Sequence, residues 1–245
     1  MTQTNPTIDR LNSIIKDVET VRCITRASEL QRAACGRLKD LLAECREQKV
    51  AAVSAGDEDF ANLVLGFECV ARYLRAEIEM WLLLKEEKPD EAWDKLVSAQ
   101  NSAIAAVRAH RGFAHLEKIG ERLLTIEKIL FPPQTFVSTG LVVRNQICSI
   151  CGTEYGECDH LAGKPYWGRF CAIITRGIEA NHLALVKEPD DKGCRVTHIG
   201  VPGGSENKMT LRIEKDDQLT GQAVEGQPGL IVRARLLRAS VDEAE

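Results

Sequence analysis

Apolar residues in the first 130 positions recur at helical intervals. Leu11, Ile14, Ile15, Val18 and Val21 follow an i, i+3, i+4, i+7 pattern, which places them on one face of a 3.6-residue period. Leu30, Leu38, Leu41 and Leu42 continue with similar spacing. The stretch Ser54-Ala-Gly-Asp-Glu-Asp breaks the pattern, and its acidic residues suit the positive end of a following helix. Phe60 to Lys85 then reads as one long helix rich in Leu, Val, Ile and Trp81. Lys88-Pro89-Asp90-Glu91 opens the next, since proline's missing N–H is tolerated in a first turn. Trp93, Leu96, Ile104 and Val107 belong to it, and Gly112 is expected to divide it from a last helix over Leu116 to Leu130. Apolar stripes of this kind need partners, so an antiparallel bundle or an oligomeric helix layer is predicted.

The pattern changes at Phe131-Pro132-Pro133, where two prolines disfavour helix in the residues before them. Beyond it, short β-branched runs alternate with Gly, Pro and Asp/Asn clusters. Thr135 to Val143, Phe170 to Thr175, His182 to Val186, Arg195 to Val201, Met209 to Ile213 and Leu230 to Leu237 are strand candidates, with turns at Pro202-Gly203-Gly204-Ser205 and Lys215-Asp216-Asp217. The fold class is therefore α+β: a helical bundle or oligomerisation region over residues 1–132, then a β-rich domain over residues 133–245.

Composition narrows the function. With 245 residues, 44% of them hydrophobic and 28% charged, the chain has ordinary globular proportions. A net charge of −4 excludes a protein that coats nucleic acid by bulk charge, so any nucleic-acid site must be a local patch. Six Phe, three Trp and three Tyr are too few for a wide base-stacking platform. No apolar run reaches the roughly 18 residues of a membrane span. The first residues lack the basic and apolar regions of a signal peptide, which predicts a cytoplasmic protein with no membrane partner. Its nine cysteines then read as free thiols or metal ligands rather than disulfides.

The most informative segment runs from Cys148 to His160, with Cys148, Cys151, Cys158 and His160 in a C-x2-C-x6-C-x-H arrangement. Zinc takes four such ligands tetrahedrally. A C-x2-C turn aims two sulfurs at one ion, Gly152 supplies the positive φ that such turns require, and Gly156 frees the connector. Cys158 and His160 point the same way if their piece is extended. Four ligands fill the shell, so one structural zinc is expected, with iron as the other ion that thiolate-rich sites accept. Cys171 and Cys194 lie in strand-like contexts; each can substitute as a ligand, and each is expected to be a buried free thiol. Cys23, Cys35, Cys45 and Cys69 lie in helical stretches without chelating spacing and read as core residues.

Two further constellations carry chemistry. Arg108, His110, Arg111 and His115 lie within eight residues, and Arg111 and His115 share a helical face if Gly112 does not break it. Histidine moves protons near neutral pH and arginine holds phosphate, a pairing suited to RNA cleavage; the plain alternative is a solvated basic helix end. Lys164, Arg169 and Arg176 lie near the Cys/His loop in sequence and, with His160, form the best local patch for RNA. Phosphate-binding loops, dinucleotide fingerprints and H-E-x-x-H are absent from the sequence. A transcription factor is disfavoured, because no basic recognition helix follows the finger.

Several resemblances attach to these residues. Arg108 and His115 are similar to the R-x4-6-H motif of HEPN ribonucleases at its outer spacing, with Ala109 where that motif carries a polar residue. Tyr166-Trp-Gly-Arg-Phe-Cys171, followed by Leu183-Ala-Leu-Val-Lys-Glu-Pro189, resembles a stretch of phage head-assembly proteins related to prohead proteases. A helical first half joined to one Cys148/Cys151/Cys158/His160 finger resembles the ring-activated zinc-finger ribonuclease of bacterial anti-phage immunity. That resemblance implies an antiviral toxin that responds to ring-shaped phage proteins such as the portal, forms a homo-oligomer and cleaves RNA. The leading expectation is thus a zinc-finger ribonuclease using Arg108, His110, Arg111 and His115, or binding RNA at the finger through Lys164 and Arg169. The rival is a zinc-stabilised phage head, assembly or adaptor protein without enzymatic activity.

Overall fold

The computed structural model describes residues 6–216 and 231–236. The α+β class holds: five α-helices precede a sheet-rich region. The helices are α1 (Pro6–Glu19), α2 (Ser28–Ser54), α3 (Glu58–Lys85), α4 (Pro89–Ala109) and α5 (Glu117–Leu130). The strands are β1 (Phe136–Cys148), β2 (Pro165–Tyr166), β3 (Arg169–Phe170), β4 (Ile173–Val186), β5 (Val196–Val201), β6 (Gly204–Asn207), β7 (Ile213–Glu214) and β8 (Val232–Ala234). The chain folds as two compact units, divided elsewhere than at residue 132. One takes the helices up to Ile129 together with Asn145–Arg176; the other takes Leu130–Arg144 and the described residues from Gly177 onward. The Cys/His segment therefore folds with the helices.

In the helical unit α3 is central, and α2 and α4 pack along it. Its buried residues include Val64, Phe67, Val70, Tyr73, Leu74 and Ile78, so it is apolar on most of its circumference, as a helix covered on several sides must be. The connections on either side of α3 are only three residues each, which forces antiparallel neighbours. Asp57 caps α3 by accepting the Phe60 N–H at 3.0 Å, and Glu58 and Asp59 occupy its first turn. Glu77, fully buried on α3, is answered by the Arg122 guanidinium of α5, which also reaches the Tyr73 hydroxyl at 3.3 Å. Glu68, also buried on α3, pairs with Lys49 of α2 and with Arg72 at 2.8 Å.

The end of α4 departs from the expected geometry. The break falls at His110, which is extended (φ −160°, ψ 143°), and residues Arg111–Leu116 form a 3-10 turn. His110 causes the break as well as marking it, because its Nδ1 accepts the Gly112 N–H at 3.0 Å and caps the turn. Phe113 then packs on α3, with its ring edge-to-face with Phe67 at 5.1 Å. Gly66 makes room for it; a Cβ there would lie 2.1 Å from the Phe113 ring.

In the second unit, β5 is flanked by β6 and β8 in a four-stranded sheet ordered β7-β6-β5-β8. His198 lies opposite Asn207 and Val201 opposite Gly204 across the β5–β6 hairpin, whose turn holds Gly203 at φ +92°. Phe136, Val137, Val196 and Met209 are buried, as is Arg195, which donates to Gln134 Oε1 at 3.3 Å. Three strand expectations need correction. Phe170–Thr175 and His182–Val186 are not two separate strands: Phe170 ends β3, and β4 runs unbroken from Ile173 to Val186 and pairs with β1. Met209–Ile213 is mostly a turn, because Asn207 Oδ1 accepts the N–H groups of Met209 at 2.7 Å and Thr210 at 3.0 Å. The turn expected at 215–217 and the strand expected at 230–237 lie partly outside the described residues.

Candidate metal centre

Cys148 ends β1 and begins a tight turn. Its carbonyl accepts the Gly152 N–H at 2.9 Å, and its own N–H donates to Thr153 O at 2.9 Å. Gly152 sits at φ +74°, the left-handed conformation expected of it. The Ile150 N–H points at Cys148 Sγ from 3.4 Å, which stabilises a thiolate there. After a short 3-10 turn at Tyr155–Glu157, Cys158 is extended (φ −124°, ψ 157°), so His160, two residues on, returns to the same side. Donor atoms of Cys148, Cys151, Cys158 and His160 all lie within 4.8 Å of one another.

That set fits a metal ion. Three sulfurs and one imidazole are the donors a tetrahedral zinc takes, and the His160 Nδ1 is buried without a hydrogen-bond partner, a cost that a metal bond would remove. The thiols respond unequally to their surroundings. Burial opposes ionisation of Cys148, but the backbone N–H groups of Cys151 and Ile150, with the Cys151 and Cys171 thiols, outweigh it and bring its pKa down to about 7. Hydrogen bonding from Thr153, whose hydroxyl is 2.9 Å from the sulfur, lowers that of Cys151. Burial raises that of Cys158, with the neighbouring thiols adding to it. Ligation requires thiolates, so bound metal displaces these protons.

The hairpin beyond the loop fastens it to α3. β2 and β3 are joined by Trp167 (φ +49°) and Gly168 (φ +74°), a pair of left-handed residues that suits a tight two-residue turn. The Trp167 N–H donates to Glu58 Oε1 at 3.2 Å and the Gly168 N–H to Asn62 Oδ1 at 2.9 Å. Gly168 is buried against Ala61 and Lys49. Two tyrosines brace the loop itself: Tyr155 OH accepts the Ala162 N–H at 2.9 Å and Tyr166 OH the Leu161 N–H at 3.1 Å. The Tyr166 ring also meets His160 edge-to-face at 4.7 Å.

No protein-family model, curated protein or solved structure matches the chain. The arrangement must therefore be read from its own chemistry. A Cys/His cluster with the geometry to hold a metal ion is present, and no helix among the described residues is long and apolar enough to cross a membrane.

The other predicted site residues are placed as follows. Arg108 is exposed near the end of α4, while Arg111 and His115 are exposed on the 3-10 turn. With three residues per turn, positions four apart are separated by about 120°, so Arg111 and His115 do not share a face. His110 Nε2 faces Asp59 Oδ1 at 3.4 Å while Nδ1 serves as the cap, which commits the ring to structure. His115 lines a cleft of about 420 Å³ with Lys16, Glu19 and Tyr73 over the rings of Phe67 and Phe113. Lys164, Arg169 and Arg176 are exposed in the same unit as the Cys/His loop.

Cys171 and Cys194 are the two cysteines expected as buried free thiols able to substitute as ligands. Cys171, at the foot of the β2–β3 hairpin, is buried with its sulfur 3.7 Å from that of Cys148. Burial, then the neighbouring Cys148, raises its pKa to about 11. Cys194 is half-buried, with its thiol donating to Leu236 O at 3.3 Å. Of the four helical-region cysteines, Cys45 and Cys69 are buried as expected, and burial pushes both thiols up to about 12. Cys35 is only half-buried, and Cys23 is exposed beyond the end of α1, so neither is a core residue.

Proposed function

We propose that the chain is a metal-stabilised assembly protein, in which one ion, zinc by the chemistry of its donors, locks the Cys148–His160 loop to the helical unit. The observation that carries this reading is the donor set itself. Four ligands fill a tetrahedral shell, leaving the ion a structural task, and the adjoining hairpin is bonded into the first two turns of α3. The β1–β4 ribbon supports the assembly half of the reading. Leu141, Val142, Ile178, Leu183 and Leu185 are exposed on it, and a two-stranded ribbon is marginal in water without a partner. A second copy of the chain is the simplest partner, giving a homo-oligomer.

The test combines metal content with mass in solution. Purified protein should carry one zinc per chain and sediment as an oligomer. Leu183→Glu with Ile178→Glu should reduce it to monomer while the zinc stays. A wild-type protein that is monomeric at every concentration overturns the assembly reading, and one that binds no transition metal overturns the metal reading.

A second reading is favoured by the His115 cleft: a ring-activated ribonuclease of anti-phage defence. There an exposed histidine moves the proton of a ribose 2′-hydroxyl, Lys16 holds the phosphate, and Lys164, Arg169 and Arg176 guide the RNA. RNA cleavage by the wild type, increased by a phage portal ring and lost in His115→Ala with the zinc retained, would establish it. Cleavage that survives His115→Ala, or none with the ring added, would remove it.

A further inference from the structure

We propose that Cys171 is a reserve ligand of the metal centre, entering the shell in place of Cys151 when that exposed thiolate is lost. The inference rests on the metal reading above, but its basis is separate. Two thiolates on one tetrahedral zinc, each about 2.3 Å from the ion, stand about 3.8 Å apart. Cys171 Sγ and Cys148 Sγ are 3.7 Å apart, the spacing of neighbours in a metal shell. Cys148 is at the same time a member of the Cys/His group whose donors lie within 4.8 Å. A fifth sulfur thus stands beside one of the four donors, at the spacing that a shared ion imposes.

The backbone holds Cys171 at this spot. Its N–H donates to Lys164 O at 2.9 Å and its carbonyl accepts the Gly163 N–H at 2.8 Å. The next residue is tied across to the Cys148–Cys151 turn, with the Ala172 N–H on Ser149 Oγ at 2.8 Å and the Ser149 N–H on Ala172 O at 3.0 Å. These bonds run between main chain and one serine, so they place the fifth sulfur without help from an ion.

Exposure separates the two candidates for the exchange. Cys148 and Cys171 are 1% and 2% exposed, whereas Cys151 is an exposed residue. Cys151 is therefore the ligand that oxidants and alkylating reagents reach first. Its loss leaves Cys148, Cys158 and His160 on the ion, with one vacancy and one thiolate charge missing. Cys171, already beside Cys148, restores both, its thiol proton passing to solvent as the sulfur bonds the ion. The consequence is a centre that keeps its ion after its most accessible thiolate is modified.

The experiment uses the full chain with Co2+ as probe, because thiolate-to-cobalt charge-transfer intensity counts the bound sulfurs. Wild type, Cys151→Ser, Cys171→Ser and the double variant are compared, each checked for wild-type helix content by circular dichroism. Wild type and both single variants should show the same three-thiolate intensity, and only the double variant should lose one thiolate's share and bind more weakly. If Cys151→Ser already matches the double variant, Cys171 does not enter the shell and the proposal fails. Reduced intensity in Cys171→Ser alone makes Cys171 a resident ligand and overturns the reserve role. A wild type that binds no cobalt fails the metal reading itself, a result distinct from either.

Discussion

Gly168→Ala tests how the metal loop is joined to the helices without touching a ligand. Gly168 is held at φ +74°, where an L-residue costs about 1–2 kcal/mol. The added Cβ would lie 3.2 Å from Lys49 Cδ, 3.3 Å from Ala61 O and 3.4 Å from Ala61 Cβ. Lys49 can swing aside, but Ala61 belongs to the backbone of α3 and cannot, so part of an overpacking cost of about 1–3 kcal/mol is added. The expected total is roughly 2–4 kcal/mol, read as a lower urea midpoint at unchanged slope. Asn62→Ala attacks the same joint from the helix side. It leaves the Gly168 N–H without its 2.9 Å acceptor, at about 1–3 kcal/mol if the buried group stays unpaired. Because both changes break one contact, the double variant should cost less than the two singles together. Hydrogen exchange of the Gly168 amide in Asn62→Ala gives the local readout, and it should rise by roughly ten- to a hundredfold. Unchanged exchange, or a Gly168→Ala midpoint equal to wild type, would refute the docking described here.

Three further outcomes follow from the helical unit. Gly66→Ala sets a Cβ 2.1 Å from the Phe113 ring and should cost about 1–3 kcal/mol by thermal or urea unfolding, with Phe113→Leu in the same chain recovering part of it. Arg122→Met leaves Glu77 buried and unpaired; since the arginine is itself partly exposed, the loss should fall near the lower end of about 3–5 kcal/mol, and adding Glu77→Gln should return much of it. Glu68 has a pKa below the usual carboxylate value: burial alone would raise it, and the pairs with Lys49 and Arg72 outweigh that. A folded-state pKa lower than the unfolded one gives stability that is present above the unfolded value of about 4.3 and is lost as pH falls through the folded one. Unfolding free energy measured from pH 6 downward should therefore drop less steeply in Glu68→Gln than in wild type, and parallel curves would contradict the assignment.

What could be read from the residues alone was what local spacing controls. The C-x2-C-x6-C-x-H segment announced its four donors because a knuckle turn and an alternating strand place them within thirteen residues. The helices were legible because α3 and its neighbours keep an apolar 3.6-residue period over two dozen residues. The failures share a different cause. The spacing predicts a break at Gly112, yet the chain turns two residues earlier, where the His110 imidazole captures the Gly112 N–H. Met209 to Ile213 alternates like a strand, but the Asn207 carboxamide takes the N–H groups that a ladder would need. The gap expected between Thr175 and His182 is closed in the structure, where β4 passes through Gly177, a left-handed residue (φ +64°) at which a Cβ would come within 3.1 Å of Arg144.

Cys171 shows where local spacing stops being informative. Its spacing from Cys148 is twenty-three residues, far beyond any local rule, and the hairpin that returns it has strands only two residues long. No periodicity can reveal elements that short. What carries them is Trp167 and Gly168 at positive φ, held by Glu58 and Asn62 from a helix more than a hundred residues earlier. Docking of the hairpin on α3 thus adds to the main-chain bonds that hold the fifth sulfur, and the two contributions can be separated experimentally. If docking sets its position, Gly168→Ala should leave the four-donor site able to bind cobalt, yet make the Cys151→Ser variant lose a thiolate that it keeps on the native background. Retention of that thiolate in the combined variant would show that the main-chain bonds around Cys171 and Ser149 suffice without the helix.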